Sequence, residues 1–157
     1  MLIKLEHILY IFLISMVPLI ELRGAIPVGA ALDIPWYANM LAAIIGNVVP
    51  VPFILLFIRK IIAWMENTGH FRWFVNILNK KIRKHTKKIL KYANCGLLVF
   101  VAIPLPGTGA WTGALVAAVL DMRIRKAFLS IFFGVLIASV IMAAASYGVV
   151  GFLQYLL

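Results

Sequence analysis

Residues 17–33, VPLIELRGAIPVGAALD, set the architecture: Glu21 and Arg23 stand inside an apolar stretch that Pro18, Gly24, Pro27 and Gly29 bracket. An ionisable residue at bilayer depth costs about 2.5–3.5 kcal/mol on insertion scales, so its presence there marks a functional site. Irregular backbone survives at that depth only where it is buried in protein or lines a water-filled cavity. The stretch therefore reads as a broken, half-penetrating segment carrying a charged site.

That reading presupposes lipid, and the composition supplies it. Hydrophobic residues make up 64% of the chain and charged residues 13%, with a mean hydropathy of +1.06; soluble domains are far more polar. Residues 36–58 and 127–157 contain no charged side chain. At about 1.5 Å per residue, each is long enough to cross a hydrocarbon core of about 30 Å. The apolar stretches 8–32 and 97–120 are also long enough, but proline and glycine interrupt both. No small-residue cleavage site leads from the N-terminal run into a polar region, so a removed signal peptide is not expected. The single cysteine, Cys95, excludes an intramolecular disulfide and is expected in the core.

Charge then orients the chain. Between Arg59 and Lys91 ten basic residues face one acid, Glu66, and short loops this basic stay on the cytoplasmic side. Within this loop Asn67-Thr68-Gly69 ends one helix. Phe71, Phe74, Val75, Leu78, Ile82 and Ile89 then fall on one helical face, predicting a cytoplasmic amphipathic helix in the headgroup region. Lys80, Lys81, Arg83, Lys84, Lys87, Lys88 and Lys91 would contact anionic lipid. Nucleic acid is the weaker reading of such a run between two apolar spans, and none is expected as a partner.

A second basic cluster, Arg123, Arg125 and Lys126, follows residues 97–120. Were that stretch a full crossing, the cluster would lie outside, against the rule that places Arg59–Lys91 inside. A re-entrant hairpin turning near Pro104–Gly113 puts both clusters on the cytoplasmic side. The two halves also match: Pro18 with Pro104, Gly24-Ala25 with Gly109-Ala110, Leu32-Asp33 with Leu120-Asp121, Gly46 with Gly134, at offsets of 85 to 88. The expected architecture is one all-α integral membrane domain over 1–157. It is an inverted repeat of two re-entrant hairpins plus transmembrane helices, with half one at about 8–58, a basic linker at 59–93, and half two at about 96–157. Both broken segments would meet near the midplane, where transporters place substrate and coupling-ion sites.

The strings VPLIELRGAIPVGAAL and FVAIPLPGTGAWTGALVAAVLDM resemble the signatures of the small multi-drug export protein family of bacterial and archaeal membrane proteins. More distantly, the second half is similar to the DedA superfamily of lipid flippases and scramblases, through Phe100, Pro104, Gly107, Ala117, Met122, Arg125, Phe128, Gly134, Tyr147 and Gly151 in order. DedA-like proteins carry an arginine soon after the hairpin's Pro-Gly. This chain has Gly107-Thr108-Gly109-Ala110 there, and Arg23 is the candidate to replace the missing charge. The resemblance implies two opposed hairpins, location in a prokaryotic cytoplasmic membrane, and proton-coupled movement of an amphipathic substrate such as polyprenyl phosphate, phospholipid or a lipophilic drug.

Several residues are candidates for the site. In a straight helix Glu21 and Arg23 project about 200° apart, so they pair only on irregular backbone. The bland account is a structural ion pair; the sharper one has Glu21 taking up and releasing a proton while Arg23 modulates it or meets a phosphate. Pro50 and Pro52 free backbone carbonyls beside Asn47, which either bends the helix around the hairpins or lines a cavity. Pro104, Pro106, Gly107, Thr108, Gly109, Trp111, Thr112 and Gly113 form the second hairpin tip, Gly24 and Pro27 the first. The second tip either packs helices closely or offers amides to an anionic headgroup, and Trp111 could instead anchor at the interface. Asp33 and Asp121 fall at segment ends, where capping or solvation accounts for them.

No zinc, serine or aspartyl hydrolase motif is present, and His7, His70 and His85 lie in no ligand spacing. Neither an enzyme, a metal nor a cofactor is expected. The alternative to transport is a membrane scaffold or lipid-binding module acting through the basic helix. So small a body is expected to form a homodimer around any solvated path.

Overall fold

The computed structural model describes residues 5–68, 92–105 and 107–156, and no strand occurs among them. The helices are α1 (Leu5–Met16), α2 (Glu21–Ala31), α3 (Trp36–Val48) and α4 (Pro50–Thr68), then α5 (Tyr92–Ala102), α6 (Ala110–Val119) and α7 (Ile124–Leu156). The proposed amphipathic helix, with Lys80, Lys81, Arg83, Lys84, Lys87, Lys88 and Lys91, lies outside the described residues, as does Pro106.

Two stretches are long and apolar enough to cross a membrane, Trp36–Ile58 (23 residues) and Ile124–Val149 (26 residues). At 1.5 Å per residue they run about 35 and 39 Å. The first joins α3 to α4 through Val49, whose N–H still reaches the Ile45 carbonyl at 3.0 Å. Large side chains such as Ile45, Phe53 and Phe57, and Phe133, Ile137 and Val140 on α7, point outward. Outward apolar surface of this extent suits hydrocarbon rather than water.

The other two apolar stretches are each broken in two. Residues 8–32 divide into α1 and α2 at a turn over 17–20, and residues 97–120 into α5 and α6 at 103–109. At the first break Leu19 has φ 81° and Glu21 φ 49°, a left-handed conformation that costs most residues energy. Gly107, at φ 87°, supplies the equivalent turn in the second without that cost.

Both broken stretches end alike. At the end of α2 the Ile34 N–H reaches Gly29 O at 3.0 Å and the Asp33 N–H reaches Ala30 O at 3.2 Å; at the end of α6 Met122 reaches Ala117 at 3.0 Å and Asp121 reaches Ala118 at 3.1 Å. These are twin Schellman caps, with Asp33 (φ 55°) and Asp121 (φ 49°) in the left-handed position usually given to glycine. The two aspartates thus serve helix C-termini, and every bonded pair is displaced by 88 residues. At that displacement Glu21, rather than Gly24, is the counterpart of Gly109.

Close approach of backbones repeats as well. A Cβ on Gly46 would collide with the Phe12 carbonyl oxygen of α1; one on Gly134 would lie 2.9 Å from the Leu98 carbonyl oxygen of α5 and 2.7 Å from Val101 Cβ. Small residues let helices meet this way where lipid removes any hydrophobic drive to associate. The core is accordingly rich in alanine, with Ala25, Ala43, Ala110, Ala114, Ala117 and Ala127 fully buried. Cys95, expected in this core, is instead exposed. The buried face of α5 is set by Leu97 and Val101, and a residue two positions from Leu97 projects about 200° away from it.

Candidate functional site

The two breaks meet through Glu21 and Arg23. Glu21, first residue of α2, is 5% exposed, and its Oε1 accepts a hydrogen bond from the Trp111 backbone N–H at 3.1 Å. That N–H belongs to the first turn of α6, whose leading amides have no helical partner and whose dipole favours an acidic side chain. Space for the carboxyl exists because position 109 is glycine. A Cβ there would overlap Glu21, whose carboxyl supplies all three nearest atoms.

Arg23 reaches the same turn from the other side. Its Nη1 donates to the Leu105 carbonyl, and its Nη2 donates to the Thr108 carbonyl, to Thr108 Oγ1 at 2.9 Å and to Ile103 O at 3.3 Å. The planar guanidinium suits this fork, gathering carbonyls that the broken α5–α6 connection leaves without helical donors. Thr108 closes the turn on itself, its hydroxyl donating to Ile103 O at 2.7 Å. The second segment answers in kind: the half-buried Trp111 donates its indole Nε1–H to Met16 O at 3.2 Å, at the end of α1. Trp111 thereby serves the seam between the segments.

Glu21 and Arg23 therefore direct their hydrogen bonds across to the second segment rather than to each other. Glu21, Arg23, Thr108, Gly109 and Trp111 form one cluster. Thr112 supports it, accepting from the Gly109 N–H at 2.8 Å as half of a capping box. Gly24, Pro27 and Pro104 are half-buried, Gly113 is buried, and Gly107 is exposed at the turn. Asn47 and Pro50 are buried, and no hydrogen bond ties Asn47 to the cluster. Arg123, Arg125 and Lys126 are exposed at the start of α7.

A second polar tie escapes sequence reasoning. Asn39, fully buried, donates through Nδ2 to Ile26 O at 2.8 Å and to Tyr147 Oη at 2.9 Å; Tyr147 donates in turn to Ile34 O at 2.6 Å. This joins the far end of α7 to the α2–α3 turn. Ser15 likewise ties α1 to α3, donating to Ala43 O at 2.6 Å. The signal for both was a polar residue in a largely apolar helix, which does not name its partner. Among the described residues no group of three or more His, Cys, Asp or Glu is placed to hold a metal ion.

Residues 21–141 match the family described as "Putative small multi-drug export protein", so the match opens at Glu21 and takes in both breaks. No curated protein matches, and no solved structure matches.

Proposed function

The chain belongs to the small multi-drug export protein family, and from that premise we propose that it moves an amphipathic substrate across the prokaryotic cytoplasmic membrane, coupled to protons, with Glu21 as the proton-accepting group. One observation carries this reading. A buried carboxyl on strained backbone bridges two broken apolar segments, the place where a mobile charge can alter how those segments meet.

In this reading both broken segments are re-entrant hairpins entering from opposite leaflets, an inverted repeat. The twin caps and the paired glycine contacts at near-constant displacement support it. The basic residues of 59–93 and Arg123–Lys126 lie on the cytoplasmic side and contact anionic lipid. Proton uptake by Glu21 weakens its hold on the Trp111 N–H and loosens α6, while Arg23 keeps the 103–108 turn in register or releases it to a phosphate. The cargo is a polyprenyl phosphate, a phospholipid or a lipophilic drug; the likeness of the second half to DedA proteins favours the lipids, the family's name the drug. The chain acts without enzyme chemistry and as a homodimer.

Proteoliposomes test this with a labelled polyprenyl phosphate and a lipophilic cation, each with and without a pH gradient. Wild-type protein should move one of them in response to the gradient, and Glu21→Gln should lose that response. If Glu21→Gln transports normally while neutralising Lys80–Lys91 abolishes activity, the basic segment is the working part and the chain is a lipid-binding scaffold.

A further inference from the structure

Asn47 is 0% exposed, and neither its Nδ2 nor its Oδ1 has a hydrogen-bond partner among the described residues. Buried polar groups are almost always paired, and an amide with both ends unmatched calls for an explanation. Its position supplies one. Pro50 and Pro52 have no N–H to give the carbonyls of Gly46 and Val48, so the residues flanking Asn47 both carry acceptors that the helix cannot satisfy at i+4.

The neighbouring helix α7 carries a further buried polar group, Ser139. Asn39 near the start of α3 bonds Tyr147 of α7, and α3 and α4 both touch α7. Eight residues along each from that bond lie Asn47 and Ser139, which is also fully buried. Ser139 Oγ donates to its own helix at Leu136 O, 2.7 Å away, which leaves the oxygen able to accept.

The unmatched atoms define the ligand. A bare cation would satisfy Oδ1 and the freed carbonyls but strand Nδ2, and a phosphate or carboxylate would satisfy Nδ2 while setting negative charge against Oδ1. A hydroxyl accepts from Nδ2 and donates to Oδ1 or to Gly46 O. We propose that Asn47, at the proline break between α3 and α4, is a binding site for a hydroxyl group, either that of a water molecule or that of the cargo's headgroup. Its place in a transport path rests on the function proposed above; its occupancy does not, so failure here leaves Glu21's role standing.

The test is NMR on protein carrying ¹⁵N-labelled asparagine, in nanodiscs of phosphatidylcholine, whose headgroup has no hydroxyl, and of phosphatidylglycerol, which has two. Asn47→Leu identifies the side-chain amide signal by its loss, and Asn47→Gln does so with the polar group retained should the leucine variant not fold. A cross-peak from the Asn47 amide to water in both bilayers supports the site with water as its occupant. A cross-peak to glycerol headgroup protons in phosphatidylglycerol alone supports it with a headgroup hydroxyl. The absence of both in both bilayers overturns the proposal, as does a ten-fold or greater rise in the folding constant on Asn47→Leu, which marks an amide that binds nothing.

Discussion

Replacing Gly109 with alanine isolates the contact between the two broken segments, because the backbone there tolerates the change and the space does not. Gly109 sits at φ −109° and ψ −165°, open to any residue. The added methyl, however, falls on the Glu21 carboxyl, whose Oε2, Cδ and Oε1 are the three nearest atoms. The carboxyl must then leave the Trp111 N–H. Losing a hydrogen bond to an acidic group costs about 1.5–3 kcal/mol, and overpacking adds about 1 kcal/mol or more, so Gly109→Ala should destabilise by at least about 2.5–4 kcal/mol. Glu21→Ala removes the colliding atoms along with the bond. In that background the same glycine change should cost less than about 0.5 kcal/mol, a coupling of about 2 kcal/mol or more between residues 88 apart. The assay is equilibrium unfolding in mixed micelles followed by tryptophan fluorescence, run as a four-protein cycle. Gly96→Ala and Gly148→Ala, whose new methyls meet nothing within 4 Å, serve as helical controls and should be neutral or gain up to about 1 kcal/mol. Equal cost of Gly109→Ala with and without the carboxyl would refute the seam.

Three further changes probe the remaining ties. Arg23→Lys keeps the charge but offers a point donor where a fork gathers three carbonyls; in the same unfolding assay it should lose about 1–3 kcal/mol, and a neutral result would mean the turn holds itself through Thr108. Tyr147→Phe removes the bonds joining α7 to Asn39 of α3 and to Ile34 of the α2–α3 turn and should cost about 1 kcal/mol, near the usual worth of a polar tie inside a membrane, with faster amide exchange at Ile34 as the local readout. Leu19→Gly relieves a φ of 81° at a side chain that is 95% exposed, so it should stabilise by up to about 1 kcal/mol; destabilisation would show that Leu19 packs against something outside this chain.

How far the sequence revealed this arrangement depends on which atom of each residue does the work. Glu21 and Arg23 stand out because charge is scarce in the apolar stretches, and the two breaks stand out because proline and glycine interrupt them. Their partners do not, since Glu21 is met by the backbone N–H of Trp111 and Arg23 by the carbonyls of Ile103, Leu105 and Thr108. Every residue carries such groups, and only the fold decides which are left over. Asn39 and Tyr147 lie 108 positions apart, so neither announces the other. The Leu-Asp pairs at 32–33 and 120–121 stand out as matched strings in the sequence, and their physical role is the left-handed step of a helix C-cap. Asp takes that step more readily than most residues, and nothing local distinguishes it from an aspartate solvated at a helix end.

A division of labour follows from lipid being as apolar as the side chains it bathes. With little hydrophobic drive between helices, each half is held to the other by what lipid cannot supply, namely polar ties and glycine-permitted contact. Here those ties are reciprocal: Glu21 and Arg23 of the first half complete the turn and helix start of the second, while Trp111 of the second completes the end of α1. Neither half is satisfied alone, because parting them would strand an acidic side chain, a guanidinium and an indole N–H at once, each costly without a partner inside a membrane. The seam is therefore held by polar groups that each segment supplies and the other needs.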